Sequence, residues 1–152
     1  MPLWPVAIAL GSNLGDRAAH LAYARSRLGD MLIAPAASPV IETEPVGPGA
    51  QGRYLNQVVI GVTALVPDAL LIFLQRVEIE RGRVRPFPDA PRTLDLDLIL
   101  HGAACLRTAS LALPHPRFRE RRFVLEPLAA VAPRWRDVET GLTVAELLER
   151  LE

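Results

Sequence analysis

An α+β sandwich of the ferredoxin-like βαββαβ type, with additional C-terminal helices, is the fold class this sequence predicts. Three observations point there. Short apolar runs of strand character alternate with two stripes of helical spacing in the order β-α-β-β-α-β. Glycine and proline separate these segments. Beyond the last strand, further helical patterns remain that could cover the second face of the sheet.

The elements follow in order. Val6-Ala7-Ile8-Ala9-Leu10, bounded by Pro5 and Gly11, reads as a buried strand. Asp16 is placed to cap a helix carrying Leu21, Ala24 and Leu28 on one stripe, with its stop near Gly29. A second extended region runs from about Ala36 to Thr43. The stretch Glu44–Gly52, with two prolines and three glycines in nine residues, predicts a long irregular loop of the kind that often carries function. Leu55–Val62 is rich in β-branched residues and predicts a strand. Pro67 suits a first helical turn, and Leu70, Leu71, Leu74, Val77 and Ile79 follow up to Gly82, a good C′ residue. Arg83–Pro91 holds three prolines and predicts a loop. Thr93–Leu100 alternates and then turns fully apolar, as a central strand would. Phe123–Val131 predicts a helix containing Pro127, and Thr143 with Glu146 forms a capping box for a short last helix.

Composition bounds the function. The chain has 152 residues, which predicts a single domain over 1–152 with a core large enough to need no disulfide or structural metal. Hydrophobic residues make up 50% and charged residues 22%, which excludes wholesale disorder. No apolar stretch reaches the ~18–20 residues of a membrane span, and Pro2–Leu10 lacks the basic leader of a signal peptide. Cys105 is the one cysteine and is expected to be a small buried hydrophobe. Together these predict a reduced, cytoplasmic setting, with neither membrane nor nucleic acid as partner. Zero net charge agrees, since it argues against a general polyanion binder. All seventeen basic residues are arginine, so any anion site here uses guanidinium forks, and no lysine-dependent phosphate loop is possible.

Asp95-Leu96-Asp97 is the sharpest chemical feature. Residues i and i+2 of a strand face one side, about 6–7 Å apart, while Leu94, Leu96 and Leu98 point to the other and bury. Two adjacent carboxylates repel unless a cation stands between them, and Mg²⁺ takes one or two carboxylates plus substrate phosphates. Alternating acids on an exposed strand face would look the same. Arg92 just before the strand, with Arg83 and Arg85 upstream, favours a metal–polyphosphate complex, in which arginines grip phosphate oxygens bidentately. His115 lies between Pro114 and Pro116, a setting that suits either a surface turn or a nucleotide contact. Arg121 and Phe123 follow with a cation and an aromatic face. Tyr54 and Asn56 share one strand face, where an inward amide could read a heterocycle edge.

Pro91-Arg92-Thr93-Leu94-Asp95-Leu96-Asp97 resembles the signature of the 6-hydroxymethyl-7,8-dihydropterin pyrophosphokinases of folate biosynthesis. So do Ala9-Leu10-Gly11-Ser12-Asn13-Leu14-Gly15-Asp16, Tyr54-Leu55-Asn56, Gly82-Arg83-Val84-Arg85, Leu113-Pro114-His115-Pro116-Arg117 and Arg121-Arg122-Phe123. These six motifs run in order from about Val6 to Pro133. The resemblance implies transfer of the β,γ-diphosphate of ATP to the pterin hydroxymethyl group, releasing AMP. Asp95 and Asp97 would hold two Mg²⁺ ions, and Arg83 and Arg92 would contact phosphates and neutralise transition-state charge. Gln75, Glu78, Arg85, Leu98, His115 and Arg121 match positions associated with ATP. Thr43, Pro45, Val46, Tyr54, Asn56 and Phe123 match the pterin pocket, with Tyr54 and Phe123 sandwiching the ring. ATP and hydroxymethyl-dihydropterin are the small-molecule partners implied, and the chain is expected to act as a monomer.

The chain departs from the pattern of some members. Pro88-Asp89-Ala90 replaces an Arg-Trp-Gly, and Ser110 and Ala112 stand where an arginine and a threonine approach the nucleotide. Two outcomes are open: ATP binds more weakly here, or Arg117 or Arg119 supplies the missing contacts. Two rival readings remain at this stage: a non-catalytic ferredoxin-like binding module for nucleotide or RNA, and a metal-dependent glycosyltransferase using Asp-x-Asp. Aromatic residues make up only 5% of the chain, which disfavours the RNA module, and the chain is short for the transferase.

Overall fold

Large and small side chains alternate along β1 (Trp4–Ser12), and the whole sheet is arranged around that alternation. The structure is a computed structural model and describes residues 1–44, 52–82 and 92–152. β1 pairs antiparallel on both sides. One neighbour is β4 (Tyr54–Thr63), with Trp4 opposite Thr63 and Ser12 opposite Leu55. The other is β5 (Asp95–His101), with Gly11 opposite Asp95 and Ala9 opposite Asp97. Two short strands, β2 (Ile33–Ala37) and β3 (Ile41–Thr43), share the far edge of β4, also antiparallel. The resulting five-stranded sheet has the order β2-β4-β1-β5. The chain is thus an α+β protein with an antiparallel sheet.

Val6, Ile8 and Leu10 of β1 point to one face, with Val59 of β4 and Leu96 and Leu98 of β5. Two helices close that face: α1 (Arg17–Met31), through Leu21, Ala24 and Leu28, and α2 (Pro67–Glu80), through Leu70, Leu74 and Val77. Each fully buried Leu or Val contributes roughly 1.5–3 kcal/mol. Ala7 of β1 points the other way, with Val58 of β4 and Ile99 and Leu100 of β5. Phe118, α3 (Arg122–Val131) and α4 (Val144–Glu149) cover it. Asp16 caps α1 by accepting the Ala19 N–H at 3.1 Å, and the Thr143–Glu146 capping box opens α4.

Several expectations need correction. α1 runs through Gly29 to Met31 and ends where the Leu32 N–H bonds Leu28 O. The predicted extended region splits into β2 and β3 because Ser38 leaves the regular ladder: its hydroxyl accepts the Val58 N–H at 2.9 Å, and Pro39 has no N–H to continue with. β5 begins at Asp95, two residues later than its alternation suggests. A hairpin of β6 (Leu106–Arg107) and β7 (Ala112–Leu113) was not foreseen. Cys105, expected to be buried, is exposed just before β6, with its sulfur 3.8 Å from Glu139 Oε1. The predicted loop Arg83–Pro91 lies outside the described residues.

The layer over the second face is tied down by one buried carboxylate. Asp137 is fully buried and accepts from Arg119 at 2.5 and 2.8 Å, from the Thr140 hydroxyl at 2.7 Å and from the Glu139 N–H at 3.1 Å. Burial pushes its pKa up, but Arg119, Thr140 and the backbone N–H outweigh burial and hold it down at about 2. The carboxylate therefore stabilises the fold fully above its unfolded value of 3.8, and that contribution is lost as pH falls toward 2. Asp137→Ala is expected to cost about 3 kcal/mol by removing the buried partner of Arg119, the Thr140 hydroxyl and the Glu139 N–H, with Glu139 left as the remaining partner of Arg119. Asp137→Asn is expected to flatten the loss of stability between about pH 4 and 2, read by denaturant melts across that window.

Candidate active site

Where the small residues of β1 meet the open end of the second face, the sheet leaves a cavity of about 310 Å³. Ala9 and Gly11 form its floor. A Cβ added at Gly11 would stand 3.4 Å from Asn56 Oδ1 and 3.6 Å from the Tyr54 ring, so any larger residue here would occupy the cavity itself. The floor residue Gly11 was absent from the sequence-based site. The signal was available, because a glycine inside a strand often marks close approach by a ligand.

The two sides of the cavity differ chemically. On one side, Tyr54 and Asn56 of β4 and Thr43 of β3 share a face because Thr43 pairs with Tyr54 and Ile41 with Asn56. Asn56 is buried and donates from Nδ2 to Thr43 Oγ1 at 2.7 Å, which fixes the orientation of its amide. Phe123, at the start of α3, completes this side, with the Arg121 guanidinium 5.5 Å from its ring centroid. On the other side, Asp95 and Asp97 project from β5 while Leu94, Leu96 and Leu98 are at most 5% exposed in the opposite core. The i, i+2 alternation therefore places both carboxylates as the sequence suggests.

Arginines already face these carboxylates. Arg92 Nη1 lies 3.0 Å from Asp95 Oδ2, and Arg121 Nη1 lies 3.9 Å from Asp97 Oδ2. Burial works against the charge of Arg92, but Asp95, Tyr54 and Asp97 raise its pKa. Its Nε is buried and has no hydrogen-bond partner among the described residues, an N–H suited to an anionic oxygen. Arg117 and Glu120 also line the cavity. Among the described residues no three His, Cys, Asp or Glu side chains gather as a metal cage. Asp95 and Asp97 thus fit a hard cation whose remaining ligands are water and substrate oxygens, the usual Mg²⁺ arrangement.

Other expected residues stand apart from this cavity. Gln75 is exposed on α2, and the Leu98 side chain is buried in the core. Glu78 is 7% exposed and accepts the Leu96 N–H at 2.7 Å, between the two aspartates but on the α2 side of β5. Pro45, Val46, Arg83 and Arg85 lie outside the described residues. Of the two arginines expected to replace missing contacts, Arg119 is committed to Asp137 and Glu139, whereas Arg117 faces the cavity.

A family model described as 7,8-dihydro-6-hydroxymethylpterin-pyrophosphokinase (HPPK) matches residues 7–133. This chain belongs to the HPPK family. The 2-amino-4-hydroxy-6-hydroxymethyldihydropteridine pyrophosphokinase of Bacillus subtilis is 42% identical over 141 residues, covering 91% of this chain and 83% of its own length. The protein of the same name from Pseudomonas aeruginosa is 41% identical over 146 residues, covering 94% and 89%. A crystal structure of Plasmodium falciparum HPPK-DHPS superimposes with a TM-score of 0.75 at 12% identity, which speaks to the fold alone. It covers 98% of this chain, and this chain spans 44% of it. Among the described residues, no helix is long and apolar enough to cross a membrane.

His115 is held in a defined protonation state. Its Nδ1 accepts the Arg117 N–H at 3.2 Å, so the neutral ring carries its proton on Nε2. Burial and then Arg121 push its pKa down to about 4, against the pull of Asp95. Because the neutral form is favoured in the fold, stability is complete above the unfolded value of 6.5 and declines as pH falls toward 4. His115 is expected to titrate near 4 by NMR, and Arg121→Ala is expected to move that value upward.

Proposed function

We propose that the chain is a pyrophosphokinase, a single catalytic domain over residues 1–152 that moves the β,γ-diphosphate of ATP to the hydroxymethyl group of 6-hydroxymethyl-7,8-dihydropterin. The observation that carries this reading is the two-sided cavity. A flat aromatic and amide side stands across from two carboxylates faced by arginines. We also read the fold as ferredoxin-like; the strand order β2-β4-β1-β5, with β2 and β3 acting as one interrupted strand, supports that description.

On this reading Tyr54 and Phe123 hold the pterin ring, and Asn56, oriented by Thr43, meets its hydrogen-bonding edge, with Pro45 and Val46 contributing from the adjoining segment. The base is thereby immobilised with its hydroxymethyl group toward Asp95 and Asp97, a positioning effect worth several kcal/mol of barrier. Arg85, His115 and Arg121 belong to the nucleotide side; Gln75, Glu78 and Leu98, which stand apart from the cavity, are assigned to the nucleotide by the family resemblance alone. His115, proton on Nε2, can donate to a phosphate oxygen without carrying charge. Arg83 and Arg92 stabilise the charge that develops on the transferring group. Asp95 and Asp97 would hold two Mg²⁺ ions, which supply Lewis-acid polarisation of the phosphate tail when bound.

The reaction balances simply. A bond forms between the hydroxymethyl oxygen and the β-phosphorus, and the bond from that phosphorus to the α,β-bridging oxygen breaks. AMP leaves with the electron pair on its phosphate oxygen, and the alcohol proton passes to solvent water. No histidine or lysine is placed as a dedicated base: burial and Arg121 make the His115 ring a weak base, its Nδ1 is occupied by the Arg117 N–H, and its Nε2 already carries the proton.

The reading is tested by assaying AMP formed from ATP with and without hydroxymethyl-dihydropterin and Mg²⁺. Dependence on both is the expected result; AMP release independent of pterin would overturn it. Asp95→Ala and Asp97→Ala are each expected to lower kcat by at least about a hundredfold, with circular dichroism unchanged. Gly11→Val is expected to raise the pterin Kd at least about tenfold by filling the cavity floor, leaving Mg·ATP binding within about threefold, measured by calorimetry.

A further inference from the structure

Asn13 lies just beyond β1 and is 4% exposed. It does not line the cavity, yet both ends of its side-chain amide are engaged near it. Oδ1 accepts the backbone N–H of Arg92 at 2.7 Å, and Nδ2 donates to the Gly52 carbonyl at 3.3 Å. The backbone N–H of Asn13 also donates to the Arg92 carbonyl at 3.0 Å. One residue therefore holds both main-chain polar groups of Arg92. Arg92 in turn places its guanidinium 3.0 Å from Asp95.

A second, independent feature marks the same junction. A Cβ on Gly52 would stand 3.0 Å from the Asn13 carbonyl oxygen, so the approach of these backbones depends on glycine there. Gly52 is two residues ahead of Tyr54, the aromatic wall of the cavity. Asn13 thus ties together the residues that lead into the two opposing sides of the site.

We propose that Asn13 is a positioning residue for the transfer reaction, acting through Arg92. This rests on the pyrophosphokinase reading. Asparagine suits the task because it offers one acceptor and one donor on a short stem. Alanine supplies neither. Aspartate keeps the acceptor for Arg92 but opposes the Gly52 carbonyl with a second acceptor.

The test is a double-mutant cycle in single-turnover and steady-state assays with the intact chain, using Asn13→Ala, Arg92→Ala and the pair. Asn13→Ala is expected to lower kcat by about ten- to a hundredfold with KM for ATP changed less than about threefold. In the Arg92→Ala background it is expected to cost less than about twofold more, because its route of action is already gone. Asn13→Asp is expected to recover most of the kcat lost in Asn13→Ala, which also settles the matter if the alanine variant folds poorly. Wild-type kcat in Asn13→Ala, full additivity with Arg92→Ala, or an aspartate variant as slow as the alanine one would each overturn the proposal. A wild-type chain that forms no AMP would instead remove the pyrophosphokinase reading, and this role with it.

Discussion

A strand has two faces, and everything at this site depends on how β1 and β5 divide theirs. Val6, Ile8 and Leu10 fill the core under α1 and α2, so their neighbours must face the other layer. Those neighbours, Ala7, Ala9 and Gly11, are all small. Small side chains leave room, and the antiparallel register brings Asp97 opposite Ala9 and Asp95 opposite Gly11. Carboxylates therefore stand over open space rather than against packed carbon. A register shift of one residue would bury both aspartates and expose Leu96.

Charge is handled by pairing rather than by burial alone. Asp95 and Asp97 meet Arg92 and Arg121 across the cavity rim, while Arg119, close in sequence to Arg121, serves the buried Asp137. Arg117, Arg119 and Arg121 thus split between two tasks. Arg119 anchors the layer that covers the sheet, and Arg117 and Arg121 face the cavity. With no lysine in the chain, both tasks use the planar guanidinium, whose fork matches carboxylate and phosphate oxygens.

The local rules read from the sequence hold where one interaction decides the outcome. Asp16 and Thr143 cap their helices because the partner N–H groups lie within the same turn. Leu96 and Leu98 of β5 bury because alternation leaves them no other side, while Leu100 joins Ile99 in the opposite core past the register shift between Ala7 and Ile8. Errors fall where a distant partner intervenes. Ser38 breaks the extended region because Val58, twenty residues on, takes its hydroxyl. Cys105 is exposed at the entry to the β6–β7 hairpin, a feature too short to announce itself.

Sequence alone determined which residues could do the chemistry: alternation put two acids on one strand face, and ordered motifs tied them to arginines, an asparagine and aromatic rings. Only the tertiary structure decided which of these meet. Thr43, Asn56, Phe123 and Asp97 come from three strands and a helix, and what unites them is sheet register and layer packing. Periodicity acts over a few residues and is written locally. A cavity is the space left when distant segments have finished packing, so no single segment encodes it.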